Sequence, residues 1–123
     1  LANAYIAAIV PGAADTIAAA QRAGVDVRLL SGGLHEAIVP MARVLGLEPQ
    51  RVHAVELQWD ADGHVCALVP DSPLAHSGGK PRVLRALGLG EPVLAVGDGS
   101  TDAELAPHVA RFVAFTGVVR RPA

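Results

Sequence analysis

Val93-Leu-Ala-Val-Gly-Asp-Gly-Ser-Thr-Asp102 begins with four apolar residues, which are followed by Gly97 and then by two carboxylates, Asp98 and Asp102. The apolar residues follow Pro92 and predict a fully buried strand that ends at Gly97. Asp98 then lies at the carboxyl edge of a sheet, where open α/β folds bind ligands, and Asp102 begins the next helix. Acids at that edge commonly hold a hard cation such as Mg²⁺ through oxygen. The equally compatible alternative is a turn residue and a helix cap without any ligand.

The composition is that of a globular protein. The 123 residues fit one domain, and 51% of them are hydrophobic while 18% are charged. The net charge of −2 gives no electrostatic reason to expect nucleic acid or a membrane surface as a partner, and no apolar run is long enough to span a bilayer. A single cysteine excludes an internal disulfide and indicates a reducing compartment, for which the cytoplasm is the default.

Helices and strands are predicted to alternate along most of the chain. The predicted helices cover residues 13–23, 34–45, 80–87 and 102–107, and the predicted strands cover 25–30, 93–96 and 112–115. Pro40 lies inside the second helix and should kink it. Two short runs, 53–59 and 64–69, flank an Asp-Ala-Asp-Gly turn and predict a β-hairpin. This alternation indicates an α/β fold with a parallel sheet and helices on both of its faces.

Three polar segments should emerge at one edge of that sheet, because each follows a strand or begins a helix there. Ser31-Gly-Gly33 offers a hydroxyl and successive backbone N–H groups, which suit a phosphate, although an ordinary strand-to-helix turn has the same composition. Lys80 is the single lysine beside nine arginines and supplies a compact cation, although most lysines simply lie on the surface. Together with Asp98 and Asp102, these groups describe a site for a phosphoryl group beside a metal ion.

The order Ser31-Gly-Gly33, Ser77-Gly-Gly-Lys80 and Gly97-Asp-Gly-Ser-Thr-Asp102 resembles the haloacid dehalogenase (HAD) superfamily of phosphatases, and most closely the phosphoserine phosphatases. The resemblance covers nearly the whole chain. It implies a three-layer, Rossmann-like α/β core with a small β-hairpin insertion. It also implies Mg²⁺ as cofactor and a small phosphorylated metabolite, by default phosphoserine, as substrate. In such a phosphatase an aspartate attacks phosphorus, and water then hydrolyses the aspartyl phosphate.

The resemblance implies a role for each matching residue. Lys80 would tie the nucleophile to the phosphoryl group, Asp98 would coordinate Mg²⁺, and Asp102 would support both the metal and Lys80. The residues expected near the phosphate or the rest of the substrate are Ser31, Gly32, Gly33, Thr101 and Arg121, with Arg120 as the competing register for the last of them.

The main departure from the resemblance is the first motif. The superfamily takes its nucleophile from an Asp-x-Asp-x-Thr/Val motif at the end of its first strand, and no predicted buried strand of this sequence ends in that motif. Residues 1–123 are therefore expected to form a partial phosphatase core domain that lacks the first strand and cap and is inactive alone. Asp60 and Asp62 have the right spacing, but His64 follows where Thr or Val belongs, and we interpret the pair as a hairpin turn.

The sequence leaves alternatives open for both the substrate and the class of function. Val55 stands where phosphoserine phosphatases often place an asparagine, so another small phosphorylated metabolite is an alternative substrate. A non-catalytic module that binds phosphate or metal is the alternative function, and a dinucleotide-binding domain ranks last because no Gly-x-Gly-x-x-Gly follows the first strand. The five histidines show no metal-ligand spacing, and a homodimer is left open because the sequence does not set the oligomeric state.

Overall fold

The computed structural model describes residues 1–68 and 72–117. Its helices are α1 (Ala2–Ala7), α2 (Ala13–Arg22), α3 (His35–Val44), α4 (Gly79–Leu87) and α5 (Ser100–Ala103). Its strands are β1 (Leu29–Leu34), β2 (Val52–Val55), β3 (Leu57–Trp59), β4 (Val65–Leu68), β5 (Leu94–Gly97) and β6 (Arg111–Ala114). Single 3₁₀ turns cover Pro49–Arg51, Pro73–Ala75 and Ala106–His108. The chain divides into two compact units, Leu1–Ala75 (unit 1) and His76–Ala123 (unit 2).

Unit 1 contains most of the buried apolar side chains. Strands β1 and β2 pair in parallel, with Leu29 opposite Val52 and Leu30 opposite His53, and α3 packs against them. The buried cluster consists of Ile38, Ala42, Leu47, Val52 and Ala54. Helix α3 supplies Ile38 and Ala42 of this core, β2 supplies Val52 and Ala54, and Leu47 comes from the segment between them.

The predicted ends of the helices in unit 1 agree with the structure. Gly24 and Gly46 follow α2 and α3 with φ of 85° and 79°, a left-handed conformation that costs glycine little. Pro40 lies inside α3 without ending it. Helix α1 was not predicted, because residues 1–10 show no start signal and none of its residues is fully buried.

The predicted β-hairpin is present in unit 1, but the limits of its first strand differ from the prediction. Strands β3 and β4 pair antiparallel, and the Asp60 carboxylate accepts the N–H groups of Asp62 and His64, each at 2.9 Å, across the turn. The predicted strand over residues 53–59 is, however, two strands. It breaks at Glu56, so that its first part pairs with β1 and its second part forms the hairpin. A half-buried strand has an alternating apolar pattern, and a fully buried strand has a continuous one. Where two short strands follow each other directly, the two patterns run together and the sequence does not show where the first strand ends.

Unit 2 contains the second parallel pair, β5 and β6, in regular register from Leu94 opposite Arg111 to Gly97 opposite Ala114. The prediction of a fully buried β5 is wrong. Leu94 and Val96 are each 60% exposed, and Val113 on β6 is 41% exposed. A strand is buried on both faces only when layers cover both faces, and these three side chains form an uncovered apolar face.

These parallel pairs with intervening helices confirm the α/β, Rossmann-like fold class. Within residues 1–68 and 72–117, no helix is both long and apolar enough to cross a bilayer.

Candidate functional site

The centre of the candidate site in unit 2 is an ion pair between two predicted site residues. Lys80 is the second residue of α4, and Asp102 is the third residue of α5. The Nζ atom of Lys80 donates a hydrogen bond to Oδ1 of Asp102, and the two side chains are only 12% and 17% exposed. A partly buried contact of this kind fixes the direction of a flexible lysine side chain.

The other oxygen of Asp102 holds the loop that follows β5. Oδ2 accepts the backbone N–H of Asp98 at 3.1 Å and that of Gly99 at 3.0 Å. Partial burial by itself would raise the pKa of the Asp102 carboxyl, but the hydrogen bonds from Lys80, Gly99 and Asp98 outweigh burial and lower it. The carboxylate is therefore the charged form near neutral pH, and it joins three segments of unit 2.

The lack of a side chain at Gly97 leaves room for the Asp102 carboxylate. A Cβ atom added at residue 97 would lie 2.6 Å from Oδ2 of Asp102 and in still closer contact with the Cβ and Cγ atoms of that residue. Any larger residue at 97 would therefore displace the Asp102 side chain. Here a glycine is required by close packing and not by an unusual φ angle.

Asp98 and Asp102 are the two residues predicted to bind a metal ion. Asp98 is exposed, directly follows the last residue of β5, and offers the hard oxygen donors that Mg²⁺ prefers. Asp102 already accepts three hydrogen bonds, which leaves about one of the roughly four acceptor positions of a carboxylate. The oxygen donors of both aspartates are of the kind that Mg²⁺ prefers, and a metal bond from either of them stays a prediction.

Glu104 is a member of this region that the sequence did not reveal. Its two carboxylate oxygens accept the hydroxyl of Ser77 at 2.6 Å and the backbone N–H of Gly78 at 2.7 Å. Both hydrogen bonds lower the pKa of the Glu104 carboxyl, and the one from Ser77 has the larger effect. An acid two residues beyond Asp102 resembles any exposed helix residue, and the sequence carries no signal for its partners 26 and 27 residues earlier.

Ser31, Gly32 and Gly33 lie in unit 1. The Ser31 Oγ atom accepts the N–H of Gly33 at 3.0 Å, which leaves its hydroxyl hydrogen available as a donor. The predicted position at a helix N-terminus is corrected: these residues belong to β1, and α3 begins only at His35. They fill the interval between Leu30 and Leu34 in which the register with β2 shifts, and such a bulge cannot be predicted from glycines alone.

Three further residues were predicted near the phosphate or the substrate, namely Thr101, Arg121 and its alternative Arg120. Thr101 lies exposed on α5. Arg120 and Arg121 lie outside the described residues. The predicted convergence of Ser31 with Lys80 and Asp98 on one phosphate stays a prediction.

The hairpin turn contains a group that the sequence analysis missed. One ligand atom from each of Asp60, Asp62 and His64 lies within 4.8 Å of the other two, and all three residues are exposed. The Asp-x-Asp-x-His spacing was the available signal in the sequence. The Asp60 carboxylate also organises the turn itself, as predicted.

A polar cluster in unit 1 surrounds His53 on β2. Nη1 of Arg28 lies 3.2 Å from Nε2 of His53, and Asp26 contacts both Arg28 and Arg51. Burial, followed by electrostatic interactions with Arg28 and His35, lowers the pKa of His53. The histidine therefore accepts the arginine hydrogen bond in its neutral form.

Comparisons with known proteins agree on one family. A family model described as haloacid dehalogenase-like hydrolase matches residues 1–107. The phosphoserine phosphatase of Homo sapiens is 30% identical over 116 residues, which cover 92% of this chain and 52% of the human protein. A chloroplastic phosphoserine phosphatase of Arabidopsis thaliana is 30% identical over 118 residues, which cover 92% of this chain and 40% of the plant protein. The chain thus spans about half the length of the curated relatives it matches.

Two solved structures superimpose on most of this chain. A phosphoserine phosphohydrolase-like protein from Francisella tularensis subsp. tularensis SCHU S4 superimposes with a TM-score of 0.78 and 27% sequence identity, over 90% of this chain and 52% of that protein. The structure of DsGPDH of Dunaliella salina superimposes with a TM-score of 0.65 and 29% identity, over 93% of this chain and 19% of that protein.

Proposed function

The chain belongs to the haloacid dehalogenase-like hydrolase family, and we therefore propose that the protein containing it hydrolyses a small phosphomonoester with Mg²⁺ as cofactor. The observation that carries this proposal is the contact between Lys80 and Asp102 beside Asp98, at the carboxyl end of β5. A fixed cation and a hard-oxygen donor at one strand end suit a transferring phosphoryl group.

Lys80 supplies positive charge for the phosphoryl oxygens in the proposed reaction. An ammonium group has three N–H donors, and Asp102 accepts one of them, so two remain for substrate and nucleophile oxygens. Because Asp102 already holds the side chain, little rotamer entropy is lost when the substrate binds. The aspartate thus orients the lysine before the reaction begins.

Asp98 would hold Mg²⁺, which when bound neutralises charge that develops on the phosphoryl group. Mg²⁺ is usually bound by one or two carboxylates together with waters and substrate phosphate, so a single firm ligand from this unit is compatible with such a site. Ser31 would donate its hydroxyl hydrogen to a phosphate oxygen, since its oxygen is already oriented by Gly33.

The nucleophile would be an aspartate outside residues 1–123. It would attack phosphorus, release the alcohol and form an aspartyl phosphate that water hydrolyses. We propose O-phosphoserine as the substrate, supported by curated phosphoserine phosphatases at 30% and 31% identity. Residues 1–123 alone should then show no turnover.

The first prediction tests the roles of Lys80 and Asp98. In the longer protein that contains this chain, Lys80→Ala and Asp98→Asn should each reduce kcat for O-phosphoserine by at least about 100-fold. The first removes the cation that would face the phosphoryl oxygens, and the second weakens the binding of the Mg²⁺ that would neutralise their charge. A steady-state phosphate-release assay with Mg²⁺ measures this, beside a panel of other phosphomonoesters. Asp15→Asn, which neutralises an exposed acid on α2, is the matched control and should retain full activity.

Two outcomes would contradict the proposal. Near-normal turnover in either site variant would remove the assigned roles. If the longer wild-type protein binds Mg²⁺ and a phosphate ester in titration calorimetry but hydrolyses no ester, the protein is a binding module and not an enzyme.

A further inference from the structure

We propose that Glu104 is a positioning residue that fixes the start of α4 and thereby directs Lys80 toward Asp102. The inference rests on the proposed function, because Lys80 is the cation of the proposed site. Glu104 would touch neither substrate nor metal. Its effect would pass through the backbone of Ser77 and Gly78, the two residues that precede α4.

The contact between Glu104 and this backbone is specific. One carboxylate oxygen accepts the Ser77 hydroxyl at 2.6 Å, and the other accepts the Gly78 N–H at 2.7 Å. Both oxygens are thus engaged, and hydrogen bonds to a charged acceptor are stronger than neutral ones. An exposed glutamate without such partners would sample many rotamers.

Among residues 1–68 and 72–117, few other polar contacts hold the segment that Glu104 contacts. Gly78 is the N-cap of α4 with φ of 77°, and no side chain of its own helix caps the α4 N-terminus. One backbone hydrogen bond, from the Gly79 N–H to the His76 carbonyl at 3.2 Å, closes the turn. The Gly78 N–H is one of the donors that a helix start leaves without an intrahelical partner, and Glu104 satisfies it.

The position of the two acids explains how this support reaches Lys80. Asp102 is the third residue of α5 and Glu104 is its C-cap, so one short segment holds the start of α4 at two points. Asp102 contacts the end of the Lys80 side chain, while Glu104 holds the backbone two and three residues before it. If the backbone shifts by about 1 Å, the ammonium shifts with it, and such a displacement reduces catalysis by roughly 100-fold in sensitive sites.

The second prediction uses the single lysine of the chain as a reporter. An amine-reactive acylating reagent can modify only Lys80 and the N-terminal amine within residues 1–123. Trypsin cleaves poorly before proline, so Lys80 and Pro81 stay in one tryptic peptide, residues 52–82, whether or not Lys80 is modified. Mass spectrometry of that peptide therefore gives the acylation rate of Lys80 directly.

Glu104→Ala should raise the acylation rate of Lys80 about 3- to 10-fold, because the start of α4 then opens locally more often. Glu104→Gln preserves size and an acceptor for Ser77 but loses the charge and one backbone contact, so its rate should lie between those of Glu104→Ala and the wild type. Asp102→Asn, which weakens the direct partner, is the positive control. Glu91→Gln, which removes an exposed acid of the same unit, is the matched negative control.

Activity provides a separate measurement in the longer protein. Glu104→Ala should lower kcat for the phosphomonoester about 10-fold, and Glu104→Gln should restore part of that loss. Circular dichroism at the assay temperature confirms that each variant is folded, so that a merely structural defect is recognised.

The outcomes separate the two proposals. Unchanged Lys80 acylation in both Glu104 variants overturns the positioning role, whatever the activity. An equal rise in Glu91→Gln also overturns it, because lost charge and not the lost contact would then be the cause. If acylation rises as expected but the wild-type protein hydrolyses no phosphomonoester, the proposed function fails while the positioning of Lys80 by Glu104 is supported.

Discussion

One carboxylate, that of Asp102, connects the residues of the candidate site. It receives the Lys80 ammonium on one oxygen and two backbone N–H groups of the β5–α5 loop on the other. Residue 97 must leave room for it, because its backbone packs against the Asp102 side chain. The site therefore depends on a residue that has no side chain as much as on the charged residues.

The third prediction concerns this glycine. Gly97→Ala should lower the free energy of unfolding by about 1–3 kcal/mol, the usual cost of overpacking, because the new methyl group collides with Asp102. Gly90→Ala is the control, since nothing lies within 4 Å of an added Cβ there and its φ is ordinary. Urea denaturation followed by circular dichroism compares the variants, and equal midpoints for the two would contradict the close contact.

At the scale of residues, one expectation that came from the resemblance, the support of Lys80 by Asp102, agrees with a contact in the structure. Lys80 was singled out as the one lysine among nine arginines, and it does contact Asp102, an acid that stood beside the predicted strand end. Glu104 was not predicted, because its partners are a hydroxyl and a backbone N–H distant in sequence. Contacts of that kind depend on how two loops meet, which no local pattern encodes.

At the scale of elements, the pairing of β1 with β2 carries a titratable contact. Arg28 immediately precedes β1, and its guanidinium faces His53 on β2. Since the pKa of His53 is lowered in the folded protein, the unfolded chain takes up a proton more readily as the pH falls. The stabilising effect of neutral His53 is therefore complete above its unfolded pKa of about 6.5 and is lost as the pH falls toward the lower folded value.

The fourth prediction follows from this loss of stability at lower pH. Between about pH 8 and about pH 5.5, the urea midpoint of the wild type should fall more than that of His53→Gln, whose amide oxygen still accepts a hydrogen bond but does not titrate. His76→Gln replaces an exposed histidine and should keep the pH dependence of the wild type. A His53→Gln variant with an unchanged pH dependence would remove His53 as its source.

The limits of elements were predictable where glycine ends a helix and unpredictable where strands meet. The predicted limits of α2 and α4 agree with the structure to within one residue at each end, because Gly24 and Gly88 follow these helices with positive φ. The run over residues 53–59 has strand character throughout, so its division at Glu56 depends on which neighbour each part finds. Likewise, Ser31 to Gly33 reads as a turn but is stretched into β1 by pairing around the shifted register.

At the scale of the whole molecule, the alternation of helices and strands was sufficient to predict parallel pairing, which both β1–β2 and β5–β6 show. The motif order also led to the family that the comparisons identify. The exposure of Leu94 and Val96 on β5 was not predictable, because four apolar residues in a row indicate only that a strand can be covered on both faces. Whether it is covered depends on layers outside the strand itself.

The fifth prediction concerns the uncovered apolar face formed by Leu94, Val96 and Val113. This face should cause the purified 123-residue polypeptide to self-associate. Contiguous apolar side chains on a strand pair favour association with other copies. Sedimentation velocity should show the weight-average mass rising with concentration, and the double variant Leu94→Thr/Val96→Thr should reduce that rise. Val25→Thr, which changes an exposed valine of unit 1, should leave it unchanged. Storage of this polypeptide would then be improved both by dilution and by cooling, because hydrophobic association weakens at low temperature.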